Sequence, residues 1–276
     1  MEVRYSPDPV RFSRMTTQEV RDCFLVETLF SADVITMVYS DVDRAIAGSA
    51  VPVQQALTLG SAPQLRAEYF CQRRELGVLN IGQAGTITVD GKAFTMVNLD
   101  ALYIGRGAKE IIFQSDNASA PAKFYLLSYP AHAAYPTVHI SNSQASPAHL
   151  GSEAEANKRT IFKYIHPDGV KSCQLVMGFT QLAPGSVWNT MPPHTHDRRM
   201  EVYLYFNIAP TARVFHLMGK PDETRHIVVA GEQVIISPSW SLHSGVGTQS
   251  YAFCWGMGGE NQAFDDMDHL KISELK

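Results

Sequence analysis

The sequence predicts an all-β protein made of two β-barrel or jelly-roll domains with a few short peripheral helices. Short runs rich in valine, isoleucine, phenylalanine and tyrosine alternate with glycine and proline, most clearly between Leu76 and Phe113. This pattern is typical of consecutive strands joined by turns. Helix-forming segments are scarce, and the two halves of the chain resemble each other. Together these observations indicate a duplicated β domain.

The composition limits the class of partner. With 276 residues, of which 45% are hydrophobic, the chain can bury a substantial core in one or two domains. The formal net charge of -4 offers no basic surface for the phosphates of a nucleic acid. The first residues lack the apolar region of a secretory signal, and no segment approaches the roughly 18 apolar residues of a membrane span. We therefore expect a cytoplasmic protein without nucleic-acid or membrane partners.

The four cysteines are expected to be reduced. They are widely spaced and form no Cys-x-x-Cys pair: Cys23, Cys71, Cys173 and Cys254. This spacing argues against a disulfide framework and against a zinc site made of thiolates. Buried thiols are the simplest interpretation.

Two segments of the first half have local signals for secondary structure. The segment "TTQEVRDCFLVETLF" has apolar residues at helical spacing and Thr17 as a candidate N-cap. Further along, Asp90 and Gly91 lie between alternating flanks in "TVDGKAF", and both residue types tolerate the positive φ angles of a type I′ turn. We predict a helix outside the barrels at the first segment and a tight hairpin at the second.

The polar stretch from Ser141 to Arg159 predicts a linker between the halves. We therefore place an N-terminal domain at residues 1–145 and a C-terminal domain at 146–276. In the C-terminal domain, "ENQAFDDMDHLKISEL" is predicted to form a second peripheral helix.

Two short matches indicate that the halves are diverged copies. The residues from Arg73 to Glu75 precede a β run in the first half, as those from Arg198 to Glu201 do in the second. The segment "LDALYIGRGAKE", ending at Glu110, resembles "GEQVIISPSWSLH", ending at His243, in length, apolar centre and turn residues. Both matches support two domains of one architecture.

The stretch "PPHTHDRRMEVYLYFN" carries the candidate chemistry. His194 and His196 would lie on one face of an extended strand and could bind one cation. Glu201 has the opposite parity, so its carboxylate joins the imidazoles only if the chain turns or bulges within residues 197–200. An isolated His-x-His is more often a pair of surface or capping histidines, and this alternative stays open from spacing alone.

His243 is the candidate for a fourth ligand. It follows Glu201 by enough residues for several short antiparallel strands to bring the chain back beside its start. Neutral imidazoles combined with a carboxylate suit a borderline divalent ion such as Zn²⁺, Mn²⁺ or Fe²⁺. The remaining histidines lack such a context and are interpreted as structural.

The His-x-His-x4-Glu pattern followed by a distant histidine resembles the two-part metal motif of the cupin superfamily. Segments in both halves narrow the resemblance: "RRELGVLNIGQAGTITVDG", "PAKFYLLSYPAH", "TMPPHTHDRRMEVYLYFN", "ETRHIVVAGEQVIISPSWSLHSGVGT" and "GENQAFDDMDH". Together they resemble the bacterial 4-deoxy-5-keto-uronate isomerase family, also called the 5-dehydro-4-deoxy-D-glucuronate isomerases, of pectin and uronate breakdown. The resemblance covers nearly the whole chain.

This resemblance implies a bicupin that binds one Zn²⁺ per subunit in its C-terminal barrel. It also implies a homo-oligomer with six subunits. The implied ligands are those chosen by spacing: His194, His196, Glu201 and His243. The implied reaction is an aldose–ketose isomerisation of 5-dehydro-4-deoxy-D-glucuronate to 3-deoxy-D-glycero-2,5-hexodiulosonate. In the first half Glu75 and Glu110 have no accompanying His-x-His, so a metal-free N-terminal barrel is expected.

A keto-uronate substrate needs a cation for its carboxylate. Arg199, which shares the parity of Glu201, is the first candidate, and Arg225 is the second. The sequence does not identify the catalytic base; Tyr203, Tyr205 and the acids of "ENQAFDDMD" qualify only if they line the cavity. A metal-dependent cupin dioxygenase and a non-catalytic uronate-binding protein are the alternative functions.

Overall fold

The structure, a computed structural model, describes residues 1–276 and consists of 24 β-strands with two short α-helices and five 3₁₀ turns. The all-β prediction is therefore confirmed. The helices are α1 (Pro9–Phe12) and α2 (Thr17–Phe24). The strands are β1 (Glu2–Arg4), β2 (Leu25–Val26), β3 (Ile35–Ser40), β4 (Ile46–Ala50), β5 (Leu57–Thr58), β6 (Arg74–Asn80), β7 (Gly85–Val89), β8 (Lys92–Met96), β9 (Ala101–Ile104), β10 (Ile111–Ser115), β11 (Phe124–Pro130), β12 (Val138–Ile140), β13 (Ser146–Leu150), β14 (Arg159–Ile165), β15 (Val176–Leu182), β16 (Trp188–Asn189), β17 (His194–Thr195), β18 (Arg199–Phe206), β19 (Val214–Lys220), β20 (Glu223–Val229), β21 (Gln233–Ser237), β22 (Leu242–Gly247), β23 (Ala252–Gly259) and β24 (Asp268–His269).

The first compact unit contains two antiparallel sheets around one core. It comprises residues 1–3, 28–145 and 164–177. Seven strands are ordered β1-β3-β4-β11-β6-β9-β12, and four are ordered β5-β10-β7-β8. Leu76 and Val78 of the larger sheet belong to the same buried cluster as Ile87 and Phe113 of the smaller one. Burial of these apolar side chains from both sheets stabilises the unit.

The predicted tight hairpin is present in the smaller sheet. Strands β7 and β8 pair with Val89 opposite Lys92, so Asp90 and Gly91 alone form the turn. Their φ angles are 48° and 81°, as a type I′ turn requires. The Asp90 carboxylate also accepts the backbone N–H groups of residues 109 and 110, which attaches the turn to the segment before β10.

The second compact unit repeats this strand order. It comprises residues 4–27, 146–163 and 178–276. Its larger sheet is ordered β13-β14-β15-β23-β18-β21-β2, its smaller one β16-β22-β19-β20, and β17 pairs separately with β24. Glu75 in β6 and Glu201 in β18 therefore lie on strands with the same place in their sheets. Likewise Glu110 immediately precedes β10, and His243 lies in the corresponding β22. The likeness of the halves seen in the sequence thus extends to their topology.

The division between the units differs from the predicted boundary at residues 145 and 146. Residues 4–27 belong to the second unit, where Leu25 and Val26 of β2 pair with β21. Residues 164–177 belong to the first unit, where backbone N–H groups of this segment donate to the Glu75 carboxylate. The predicted linker also contains a strand, since β13 pairs along its whole length with β14.

The two helix predictions have different outcomes. A helix forms at Thr17–Phe24, but its N-cap is Thr16, which exchanges hydrogen bonds with Glu19 in a capping box. The predicted C-terminal helix is wrong: the segment contains only β24 and a 3₁₀ turn at Ile272–Glu274. Its backbone N–H groups bond to distant carbonyls instead, as Leu270 does to Pro193.

None of the helices has the length and apolar character needed to span a lipid bilayer. All four cysteines are free thiols; Cys71 and Cys254 are buried, as predicted, whereas Cys23 and Cys173 are only partly buried. Burial raises the pKa of the Cys71 thiol to about 12, so this group remains protonated at neutral pH.

Candidate metal centre

The structure brings the four predicted ligands together. His194 lies in β17, His196 follows it, Glu201 lies in β18 and His243 lies in β22. One candidate ligand atom from each side chain lies within 4.8 Å of all the others. The chain turns at residues 197 and 198, which is the change of direction that the parity of Glu201 required.

The distances between the ligand atoms are compatible with a shared cation. The Glu201 Oε2 atom lies 2.5 Å from His243 Nε2 and 3.9 Å from His196 Nε2. The Nε2 atoms of His194 and His243 are 3.0 Å apart. Tetrahedral zinc with ligands at about 2.1 Å separates its ligand atoms by roughly 3.4 Å. The observed spacings bracket that value.

The hydrogen bonding of His196 fixes its tautomer. Its Nδ1 lies 2.8 Å from the carbonyl oxygen of Arg199, and because a carbonyl only accepts, Nδ1 carries the proton. The Nε2 atom then presents its lone pair to the cluster, where it is buried and has no hydrogen-bond partner. A buried polar atom without a partner is costly. A bound cation would satisfy it, so these residues fit a metal ion.

The environment keeps the cluster in the protonation state that binds metals. Burial, followed by the proximity of His243, lowers the pKa of His194 to about 3. Burial also lowers the pKa of His196. For Glu201 burial acts to raise the pKa, but the neighbouring imidazoles, His243 first, outweigh it and bring the pKa to about 2. Near neutral pH the cluster therefore offers neutral imidazoles at these two histidines and a carboxylate at Glu201.

The cluster opens into a cavity of about 750 Å³ within the second unit. Alternate residues of four strands of the larger sheet line it: Ala148 and Leu150 of β13, Arg159, Ile161 and Lys163 of β14, Arg199, Glu201 and Tyr203 of β18, and Phe253, Trp255 and Met257 of β23. Successive residues of a strand point to opposite faces, so one face of the sheet forms this wall. His194 and His269 also line the cavity, which is large enough for a small organic ligand.

Arg199, the first candidate for binding the substrate carboxylate, lines the cavity, but its guanidinium is paired with Asp266. Its two Nη atoms lie 2.7 and 2.9 Å from the carboxylate oxygens of Asp266, and Nη1 also donates to Asn261. Only 1% of the Arg199 surface is exposed. The hydrogen bond from Arg199 is the main cause of an Asp266 pKa well below its usual value. Arg199 thus attaches the segment around Asp266 to β18.

Arg225 does not line the cavity, so the structure does not support it as a substrate-binding residue. It lies on β20, in the smaller sheet, and its guanidinium donates to the backbone carbonyl groups of Ser13 and Met15. The same group lies 5.9 Å from the ring centroid of Phe12. These contacts attach α1 and the turn after it to the sheet.

Of the candidates for proton transfer, Tyr203 lines the cavity and Tyr205 does not. Burial, and then the charge of Glu201, raises the pKa of Tyr203 well above its usual value, so its hydroxyl is protonated and can donate a hydrogen bond. The Tyr205 hydroxyl is 2.7 Å from His216 Nδ1. Among the acids of "ENQAFDDMD", none lines the cavity.

Sequence reasoning missed three titratable lining residues, Arg159, Lys163 and His269. The first two alternate along β14 with Ile161 on the same face, a period-2 pattern whose first residue falls inside the predicted linker. His269 is opposite His194 in the pairing of β17 with β24, and no local signal predicts that pair.

His216 makes the stability of the fold depend on pH. It is fully buried, and burial lowers its pKa to about 3. Between pH 6.5 and 3 the unfolded chain binds a proton at this residue that the folded chain excludes, so stability falls as pH falls, by about 1.4 kcal/mol per pH unit.

We expect His216→Gln to flatten this dependence. From pH 6 to pH 4 the metal-free wild type should lose about 2 to 3 kcal/mol more unfolding free energy than the variant. Urea denaturation at several pH values measures the difference. Parallel curves for the two proteins would show that His216 accepts a proton in the folded state.

Comparison with known proteins places the chain in a family. The KduI/IolB family model matches residues 25–272. A protein of Caldicellulosiruptor bescii named 4-deoxy-L-threo-5-hexosulose-uronate ketol-isomerase is 55% identical over 276 residues, covering 100% of both chains. A protein of Escherichia coli with the same name is 54% identical over 278 residues, again with 100% of both chains covered.

Solved structures support the cupin fold. An IolB-like protein from Salmonella typhimurium has a TM-score of 0.73 at 14% sequence identity, covering 90% of this chain and 96% of that one. A mutant of the Bacillus subtilis oxalate decarboxylase has a TM-score of 0.58 at 10% identity, covering 82% and 71%. Likeness at this level concerns the fold alone, whereas the family model and the full-length relatives decide membership: the chain belongs to the KduI/IolB family.

Proposed function

We propose that this protein is a ketol-isomerase that converts 4-deoxy-L-threo-5-hexosulose uronate, also called 5-dehydro-4-deoxy-D-glucuronate, to 3-deoxy-D-glycero-2,5-hexodiulosonate. The observation that carries the proposal is the cluster of His194, His196, Glu201 and His243, of which His194 and Glu201 line a cavity of about 750 Å³. Relatives that match the chain from end to end at 54% and 55% identity bear the name of this activity.

We propose that these four residues hold one Zn²⁺ per subunit. The donor set of imidazoles with one carboxylate, the low pKa values of His194 and Glu201 and the partnerless Nε2 of His196 support a divalent ion. When bound, such an ion supplies Lewis-acid polarisation of a carbonyl oxygen without redox chemistry. Zinc suits a reaction that involves no net oxidation.

The residues of the chain would supply the rest of the chemistry. The isomerisation removes a proton from the hydroxyl-bearing carbon and returns a proton to the neighbouring carbon. Phe253, Trp255 and Met257 line the cavity and would limit the access of water to the exchanging proton. The protonated hydroxyl of Tyr203 would donate a hydrogen bond to a substrate oxygen. Tyr203, His269 and Lys163 line the cavity outside the cluster and are the candidates for moving a proton.

We also propose that the protein forms a homo-oligomer of six subunits. The support is the resemblance of the chain to the uronate isomerases along nearly its whole length. Light scattering combined with size-exclusion chromatography measures the mass of the assembly. A species of 30.5 kDa, the mass of one chain, would contradict the proposal.

A metal-removal experiment tests the proposed activity. We expect the purified protein to contain about one zinc ion per chain and to isomerise the keto-uronate with or without O₂. Chelation should abolish turnover, and Zn²⁺ should restore it. His196→Ala should lower both metal content and turnover at least about 100-fold. Full activity in a metal-free His196→Ala protein would refute the metal-dependent reaction, and a requirement for O₂ would favour a dioxygenase.

A further inference from the structure

We propose that Arg159, assisted by Lys163, binds the carboxylate of the substrate, an inference that rests on the proposed keto-uronate isomerase function. Both side chains lie on the face of β14 that lines the cavity. Ile161 lies between them on the same face, two residues from each, and supplies an apolar contact surface. The cavity is therefore lined by two members of the cluster, His194 of β17 and Glu201 of β18, and by two cations on a different strand.

The other cations near the cluster are already engaged. Arg199 forms a two-point ion pair with Asp266, and Arg198 lies 2.9 Å from the same carboxylate. Arg225 donates to backbone carbonyl groups outside the cavity. A carboxylate entering the cavity would have to displace Asp266 to pair with Arg199.

Arg159 has no such counter-ion. Its guanidinium donates one hydrogen bond, from Nη1 to the backbone carbonyl of Asn157 at 2.8 Å, and no carboxylate lies within ion-pair distance of it. Glu155 is the acidic residue whose charge acts on it from further away. The planar guanidinium has five N–H groups suited to a bidentate carboxylate, so the arginine retains donors for a ligand.

Lys163 is similarly available. Its ammonium group lies 5.7 Å from the ring centroid of Phe264, and it forms no ion pair. Two partly buried cations without an acidic partner, beside the apolar rings of Trp255 and Phe264, create a site whose charge is compensated when an anion binds. Burial lowers the pKa of Arg159, which agrees with this loss of solvation.

The chemistry of the substrate requires such a site. An open-chain hexuronate carries its carboxylate at one end and the aldehyde that isomerises at the other. Binding of the carboxylate by Arg159 would leave the reacting end for the cluster and Tyr203. The same contact would select uronates over neutral sugars, because a neutral sugar leaves the cations without compensation.

Kinetics of Arg159→Gln test the inference. We expect KM for the keto-uronate to rise about 10- to 100-fold, with a smaller change in kcat and unchanged metal content. Arg159→Lys should recover part of the affinity, and Lys163→Gln should raise KM less. Arg213→Gln is the matched control, since Arg213 also donates to backbone carbonyls but lies outside the cavity.

A neutral analogue in which the carboxylate is reduced to an alcohol distinguishes loss of carboxylate binding from a general loss of catalytic efficiency in the variant. We expect wild type and Arg159→Gln to process it equally poorly. The role of Arg159 is refuted, while the isomerase function stands, if Arg159→Gln keeps the wild-type KM for the keto-uronate. It is also refuted if the substitution lowers kcat/KM for the neutral analogue as much as it lowers kcat/KM for the keto-uronate.

Calorimetry with D-glucuronate gives a readout that does not depend on turnover. The metal-loaded wild type should bind D-glucuronate at least about 10-fold more tightly than Arg159→Gln does, and D-glucose should not distinguish the two proteins. Absence of isomerisation by the wild type would refute the proposed function. Equal affinities of the two proteins for D-glucuronate would refute the carboxylate site.

Discussion

Glu201→Gln is expected to lower metal affinity at least about 100-fold and kcat at least about 1000-fold. The substitution keeps the size and shape of the side chain but removes the only negative charge of the cluster. It also removes the group whose Oε2 lies 2.5 Å from His243. The pKa of Glu201, about 2, means that the wild type presents a carboxylate at any pH where the enzyme would work.

Metal analysis and thermal unfolding measure this effect. Zinc should raise the melting temperature of the metal-free wild type by mass action, and it should have little effect on Glu201→Gln. Glu75→Gln is the matched control, because Glu75 is a buried glutamate on β6, the strand that corresponds to β18 in the first unit. That control should retain its zinc. Stoichiometric zinc and full turnover in Glu201→Gln would show that the carboxylate is not a ligand.

The residues of the candidate site could be predicted where the pattern that identifies them involves residues close together in the sequence. The His-x-His spacing and the parity of Glu201 depend only on strand geometry, and they led to the ligand set that the structure brings together. The engagement of Arg199 was not predictable, because Asp266 lies 67 residues away in the sequence. Strand parity indicates which face a side chain points to, but not whether another charge has already paired with it.

The fold shows the same limit. The hairpin at Asp90 and Gly91 follows from the φ angles that these residue types tolerate, so the sequence was sufficient. The assignment of residues 4–27 to the second unit follows from the pairing of β2 with β21. That pairing joins segments roughly two hundred residues apart, and composition near a presumed linker carries no information about it.

The second large effect concerns stability and the carboxylate of Glu75. This side chain is fully buried and accepts the backbone N–H groups of Cys173, Gln174 and Leu175 at 2.6 to 2.8 Å. The hydroxyl of Tyr103 donates to it at 2.7 Å. One carboxylate thus satisfies four donors and attaches residues 173–175 to β6. Glu201 instead interacts with imidazoles, so the two glutamates of corresponding strands have different environments.

Glu75→Ala should therefore destabilise the first unit by about 4 kcal/mol or more, because three backbone N–H groups and one hydroxyl lose their acceptor at once. Urea denaturation measures the loss, and hydrogen exchange should show faster exchange at the amides of residues 173–175. Glu75→Gln keeps an acceptor oxygen and should lose less. Glu201→Ala, compared in the metal-free state, should also lose less, because no backbone amide depends on that carboxylate. A loss below about 1 kcal/mol in Glu75→Ala, with unchanged exchange at these amides, would mean that water replaces the carboxylate and that the four hydrogen bonds do not hold the segment in place.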